Sequence, residues 1–355
     1  MQAIPAGTDQ PATSPGNSAP PATRSSVRDV VWRVYARDHV DLWLHGFAML
    51  QGDSTLVPYY RPGYREQMLR IRRERNVTTA MDANRDRLSS YLAANPRLVA
   101  AQFIPLYFET WDAMRQGFDL FLRANGNPRY GRDEYSARVI ATFAASFPNS
   151  ADRDWARTFV QALDDERVRF YRDYWLAETR AREGARTVFE RMWQENYRAR
   201  LRPFFVNAQQ DDGDLLLSLP LGGEGRTVPI SRRENYVAVT FPENEAHATD
   251  ALFVLAHELA GPPSSLAIRD NTSPAEQRDG TSDRYASLGA VRGGAAILAR
   301  IAPELVSSYQ RYYLGVARVN VPDGDPASAF ERTFPLPAVI RDAITRQIDM
   351  ILGGI

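Results

Sequence analysis

The sequence predicts a mostly helical α+β fold, in which a helical first half leads into a small antiparallel sheet and one buried helix. Three observations predict it. Through the first two hundred residues, apolar side chains recur mostly three or four apart, the period of a helix with one face in a core. After Pro203 the pattern changes to short apolar or β-branched runs broken by glycine turns. Then Ala251-Leu252-Phe253-Val254-Leu255-Ala256 is apolar on every side, the mark of an enclosed helix.

Taken in order, Arg28 to about Leu50 reads as a helix through Val30, Val31, Val34, Tyr35, Leu42, Leu44, Phe47 and Leu50. Pro58, Pro62 and Gly63 mark a loop. A charged segment, Tyr64 to Arg75, precedes a helix over 78–94 that Asn95-Pro96 breaks. Leu98 to Leu122 places Phe103, Leu106, Phe108, Trp111, Met114, Phe118 and Phe121 at helical spacing, aromatics of a core rather than of a ligand box. Helices follow over 133–147 and 150–166, then a long half-exposed one over 167–198 with ion pairs such as Glu178–Arg182 at i,i+4. Asp214–Leu219, Thr227–Ser231 and Tyr236–Phe241 read as strands, with Gly222 to Gly225 as a hairpin turn. The apolar helix carries His257-Glu258 and meets Gly261-Pro262-Pro263, a stop signal. A polar loop to Ser282 leads to a helix over 283–300, whose Gly289, Gly293 and Gly294 invite close packing. A helix from Pro303, a loop over 322–337 and an amphipathic helix over 338–352 complete the chain. The expected organisation is a tail over 1–26, a helical domain over 27–202 and a second domain over 203–355.

Composition narrows the function classes. The 43 basic and 43 acidic residues cancel, which argues against nucleic acid held on a broad basic face. All the basic residues are arginines, and they are scattered. Cysteine is absent, which removes disulfides, thiolate nucleophiles and thiolate-held zinc. No run approaches 18 apolar residues, so no transmembrane segment is expected. Residues 1–26, rich in Pro, Ala, Ser, Thr and Gly, cannot bury a core. Such a tail often follows a removed signal peptide, so the expected location is periplasmic or extracellular, with a plain cytoplasmic tail as the alternative. Nucleotide and serine-hydrolase signatures (Walker A, G-x-G-x-x-G after a strand, G-x-S-x-G) are missing.

Four histidines, His39, His45, His247 and His257, are the candidate nitrogen ligands. Strand, loop, apolar helix with His257-Glu258, loop and second helix together resemble the zincin metallopeptidases of the gluzincin type, over about residues 205–315. That resemblance implies a zinc-binding helix with H-E-x-x-H, in which His257 is the first metal ligand and Glu258 the catalytic base. It implies a third ligand from the next helix, with Asp283 the candidate by position and Asp279 and Glu276 behind it. Strand 236–241 would be the edge along which a peptide lies. The chain departs from the motif where the second histidine belongs: it reads HELAG, and Gly261 has no side-chain donor. His247 stands ten residues upstream, about 15 Å along a helix, so His45 or His39 from the first half is the substitute. Three readings follow. One is a degenerate, non-hydrolytic homologue without zinc that keeps a peptide- or protein-binding cleft or a structural role. Another is an active zinc hydrolase with an unorthodox ligand set: His257, a second residue such as His45, and Asp283 or Glu276, with Glu258 as base. The third is a helical exported scaffold with no metal site, in which Glu258 pairs with an arginine such as Arg269 or Arg292.

Overall fold

The computed structural model describes residues 32–52, 55–208, 212–230, 234–321 and 324–353; the tail over 1–26 and the first turn of the helix expected from Arg28 lie outside them. Where that helix was expected, the described chain opens with a short strand, β1 (Arg33–Tyr35), and only then enters α1 (Asp38–Leu50). The reason is a partner far along the chain. The Asp214 carboxylate accepts from Arg33 Nε and Nη2 at 3.0 and 2.8 Å and from the Tyr35 hydroxyl at 2.8 Å. That anchor draws the segment into a sheet against its local helical period.

The helical layer follows: α2 (Tyr64–Glu74), α3 (Ala80–Ala94), α4 (Trp111–Arg123), α5 (Glu134–Ser146) and α6 (Ser150–Glu166). Between α3 and α4 the chain is not a regular α-helix but a run of 3₁₀ turns, Pro96–Tyr107, with Pro105 inside it. The long helix past 167 is segmented into α7 (Arg172–Ala181), α8 (Glu183–Met192) and α9 (Arg198–Asn207), with π turns at Arg167–Tyr171 and Trp193–Tyr197. The expected domain boundary at 202/203 falls within α9.

Three further strands, β2 (Asp212–Ser218), β3 (Arg226–Pro229) and β4 (Glu234–Thr240), complete a sheet of order β1-β2-β4-β3. The sheet is mixed and not antiparallel: β1, β2 and β4 are parallel, and only β3 runs against β4. Residues Leu215 to Ser218 and Tyr236 to Thr240 are buried without alternation, as in parallel strands covered on both faces. β4 is therefore interior, the edge beside it is β3, and the Gly222 to Gly225 turn crosses from β2 to the far side of β4 instead of closing a hairpin.

After β4 comes α10 (Thr249–Asp270), which packs on β4. It does not stop at Gly261 but continues through Pro262 and Pro263. Then follow α11 (Pro274–Arg278), α12 (Thr281–Ile301), α13 (Val306–Val316), α14 (Ala327–Thr333) and α15 (Ala338–Gly353), with α11 and α14 inside stretches that read as loop. Packing against α12 carries α10 past its stop signal. The Ser264 hydroxyl donates to the Gly289 carbonyl at 2.9 Å. At Gly293 a Cβ would lie 2.8 Å from both Ala260 Cβ and Ser264 Oγ, so only glycine admits this approach. The segment Glu245–Asp270 is long and apolar enough to cross a membrane, but most of it is buried within the molecule, as befits a core helix.

Candidate functional site

The pair singled out by the sequence sits midway along α10, on the side that meets the sheet edge. His257 is buried and Glu258 is nearly so, with 13% of its side chain exposed. Apolar neighbours force that burial: Val254, one turn before Glu258, is fully enclosed. A carboxylate in such a place must be hydrogen-bonded, and Glu258 is. One oxygen accepts the Gly225 amide at 3.2 Å and the other the Thr227 amide at 3.1 Å. These amides are two residues apart, so they point the same way along the edge strand. His257 Nδ1 lies 3.2 Å from Glu258 Oε1. A carboxylate can only accept, so Nδ1 is the donor in this contact. Nε2 is buried, with no hydrogen-bond partner among the described residues.

The imidazole stacks on Tyr313 of α13, with centroids 5.6 Å apart and planes at 21°. The Tyr313 hydroxyl donates to the Gly223 carbonyl at 3.0 Å, tying α13 to the turn that enters β3. Burial first, then neighbouring tyrosines and the charges of Glu258 and Glu224, keep this phenol protonated well past its ordinary range. Tyr59 hydrogen-bonds Glu224 on the same turn, and burial followed by the charges of Glu224 and Glu258 raises its pKa as well.

The remaining candidates lie elsewhere. His45 is fully enclosed in the helical layer, its Nε2 3.1 Å from Glu166 Oε1 and its Nδ1 3.1 Å from the Tyr64 hydroxyl. Burial alone would raise the Glu166 pKa, but His45 and Arg72 outweigh it and hold the carboxylate below its usual range. His39 Nε2 faces the Phe108 carbonyl at 2.9 Å, and His247 is exposed beside Asn244. Asp283 is exposed in the first turn of α12. Since α12 brings Gly294 beside Ala256 and Gly289 beside Ile268, it runs antiparallel to α10. Asp283 is then about 16 Å along the axis from the level of His257. Glu276 and Asp279 cap local turns. Arg269 pairs with Asp270 and Arg292 with Glu331, so neither pairs with Glu258.

The structure thus brings His257 and Glu258 together and leaves His45 and Asp283 apart from them. Zinc sites in proteins use three or four side chains. Among the described residues no group of three or more His, Cys, Asp or Glu is placed to hold a metal. At Gly261 the helix offers no donor, although a Cβ there would meet nothing within 4 Å. The residues present do not fit zinc. They fit a carboxylate that closes the open edge of a sheet. Sequence reasoning missed the partners that define this arrangement. Backbone amides have no residue-type signature, and Tyr313 reads only as one aromatic in a helix.

Fold and site together define a mostly helical α+β protein whose core helix sets an imidazole–carboxylate pair against an edge strand. No family model, curated protein or solved structure matches the chain.

Proposed function

We propose that this chain is a zincin-like metallopeptidase homologue that does not hydrolyse peptides, and that its His-Glu pair is retained as a structural clamp between α10 and β3. One observation carries the reading: both oxygens of Glu258 are taken by the amides of Gly225 and Thr227. A general base must reach a water and accept its proton, whereas this carboxylate is spent on the backbone. The same bonds cover edge amides to which an added peptide strand would bind. The structural use of the pair is therefore favoured over a peptide cleft along this edge. Gly261 at the second-histidine position and the separation of His45 and Asp283 from the pair support the same reading.

The test is metal analysis of the purified chain, together with hydrolysis of labelled casein with and without added zinc. Less than a tenth of an equivalent of zinc and no cleavage above buffer are expected. Near-equimolar zinc and cleavage, both lost in His257→Ala, would refute the clamp and establish an unorthodox hydrolase.

A further inference from the structure

A second feature lies away from the pair, where the helical layer meets the C-terminal ends of β2 and β4. Two cavities of about 560 and 520 Å³ share Arg61, Pro62 and Val316. The larger is lined by Gln51, Arg61, Arg65, Glu66 and Arg318, along with the first turn of α2. Three arginines and one glutamate leave its wall cationic.

The local sequence Arg61-Pro62-Gly63-Tyr64 builds this wall. Gly63 takes a left-handed conformation (φ 75°) as the residue before α2, and no side chain caps the helix. The positive end of α2 therefore faces the cavity, an arrangement that favours an anion. Independently, Arg61 is a buried cation without adequate neutralisation. Only 13% of its side chain is exposed, and its ion pair among the described residues, with the exposed Glu243, is 3.4 Å long; the Asp41 carboxyl also feels its charge, but burial raises that group's pKa to about 7. Its Nε and Nη2 are buried with no hydrogen-bond partner among the described residues. Burial, then the like charge of Arg182, pushes its pKa down. Gln51 Nε2, on the same wall, is also buried without a partner. Arg65 and Arg318 make no ion pair among the described residues. Among the described residues, the orphaned side-chain atoms on this wall are all nitrogen donors. A buried guanidinium left this way is costly unless an acceptor of opposite charge joins it.

We propose that the cavity at the start of α2 binds a small oxyanion-bearing molecule, a phosphate or a carboxylate, held by Arg61 and flanked by Arg65 and Arg318. Arginine suits such a group, because a guanidinium fork can give two parallel N–H bonds to a pair of phosphate or carboxylate oxygens. The proposal does not depend on the role given to His257 and Glu258.

Thermal melts of the full chain test it, with sodium phosphate or sodium succinate titrated at constant ionic strength. A saturable rise in Tm of several degrees is expected with at least one salt. A response to phosphate alone assigns a phosphate group, and a response to succinate alone assigns a carboxylate. Arg65 and Arg318 are not buried, so Arg65→Gln/Arg318→Gln should fold normally and require at least about tenfold more salt for half of the rise. Arg61→Gln should abolish the response without lowering the Tm of the ligand-free chain by more than the double variant does. No saturable rise with either salt, or the same half-point in the double variant, overturns the proposal.

Discussion

Replacing one oxygen of Glu258 separates the two roles that a carboxylate can have at this place. In Glu258→Gln an amide NH₂ must replace one acceptor, and it then opposes the N–H of Gly225 or Thr227. A buried donor left facing a donor costs about 1–3 kcal/mol. The clamp therefore predicts a Tm several degrees lower, measured by thermal denaturation, with β3 losing amide protection in hydrogen exchange. A base with no structural duty would leave both unchanged. At this scale the sequence was half legible. A histidine and a glutamate at the end of an apolar run announce themselves, because charge within such a run demands an explanation. Their partners do not, since the Gly225 and Thr227 amides are reached only once β3 is folded against α10. Arg61 was passed over for a related reason: within Arg61-Pro62-Gly63 it looks like loop, and its burial depends on elements more than a hundred residues away.

Helix α10 shows where local and tertiary signals compete. Its apolar first half was legible from composition, and its position beside the sheet from the strand before it. Its end was not, because Gly-Pro-Pro is a strong local stop and the counterweight is packing against Gly289 and Gly293 of α12. The prolines still cost the helix two amide donors, those that would bond the carbonyls of Glu258 and Leu259. Pro262 is exposed, so Pro262→Ala restores one bond without disturbing the core. Interior proline costs about 3 kcal/mol relative to alanine, and its stiffening of the unfolded chain returns roughly 0.4–1 kcal/mol. With the surrounding packing already formed around the proline, only part of that difference is recovered, and a net gain of about 1–2 kcal/mol is expected in urea denaturation. Gly261→His probes the same turn differently. Its Cβ enters open space, but a side chain before proline is disfavoured in a helix, so a modest fall in Tm is expected. Metal analysis of this variant should still find well under one equivalent of zinc. His257 Nε2 is buried beside Tyr313, and among the described residues no group of three or more His, Cys, Asp or Glu is placed to hold a metal. Equimolar zinc in Gly261→His would show that a single missing ligand had disabled the site.

Across the whole molecule, the two halves read from the sequence share one sheet, and Asp41 is a tie between them. It stands in α1, yet its Oδ2 accepts the Leu219 amide just past β2 at 3.1 Å and the Trp175 indole of α7 at 2.8 Å. Residues Val31–Ile355 accordingly cluster as one compact unit. This tie was illegible in sequence, because an acid in the first turn of a helix is ordinary and only the fold shows that it is buried. Burial raises the Asp41 pKa to about 7, although the bonds from Leu219 and Trp175 and the charge of Arg61 oppose the shift. In the unfolded chain the same carboxyl titrates near the usual aspartate value of about 3.9. Between those values the native state holds a proton that the unfolded state has released. This group therefore contributes stability that is full below about pH 4, falls as pH rises through the window and is gone above about pH 7, a change on the order of 4 kcal/mol. The depressed Glu166 acts with the opposite sign, and its loss on acidification falls at the acid edge of the window. Comparing wild type with Asp41→Asn cancels that contribution, because Glu166 is present in both. Asparagine mimics the protonated acid at all pH values. The variant should match wild type near pH 4 and exceed it by a few kcal/mol at pH 8 in chemical denaturation. Parallel curves for the two proteins from pH 4 to 8 would mean that Asp41 is ionised in the native state, with Arg61 and its hydrogen bonds holding the charge.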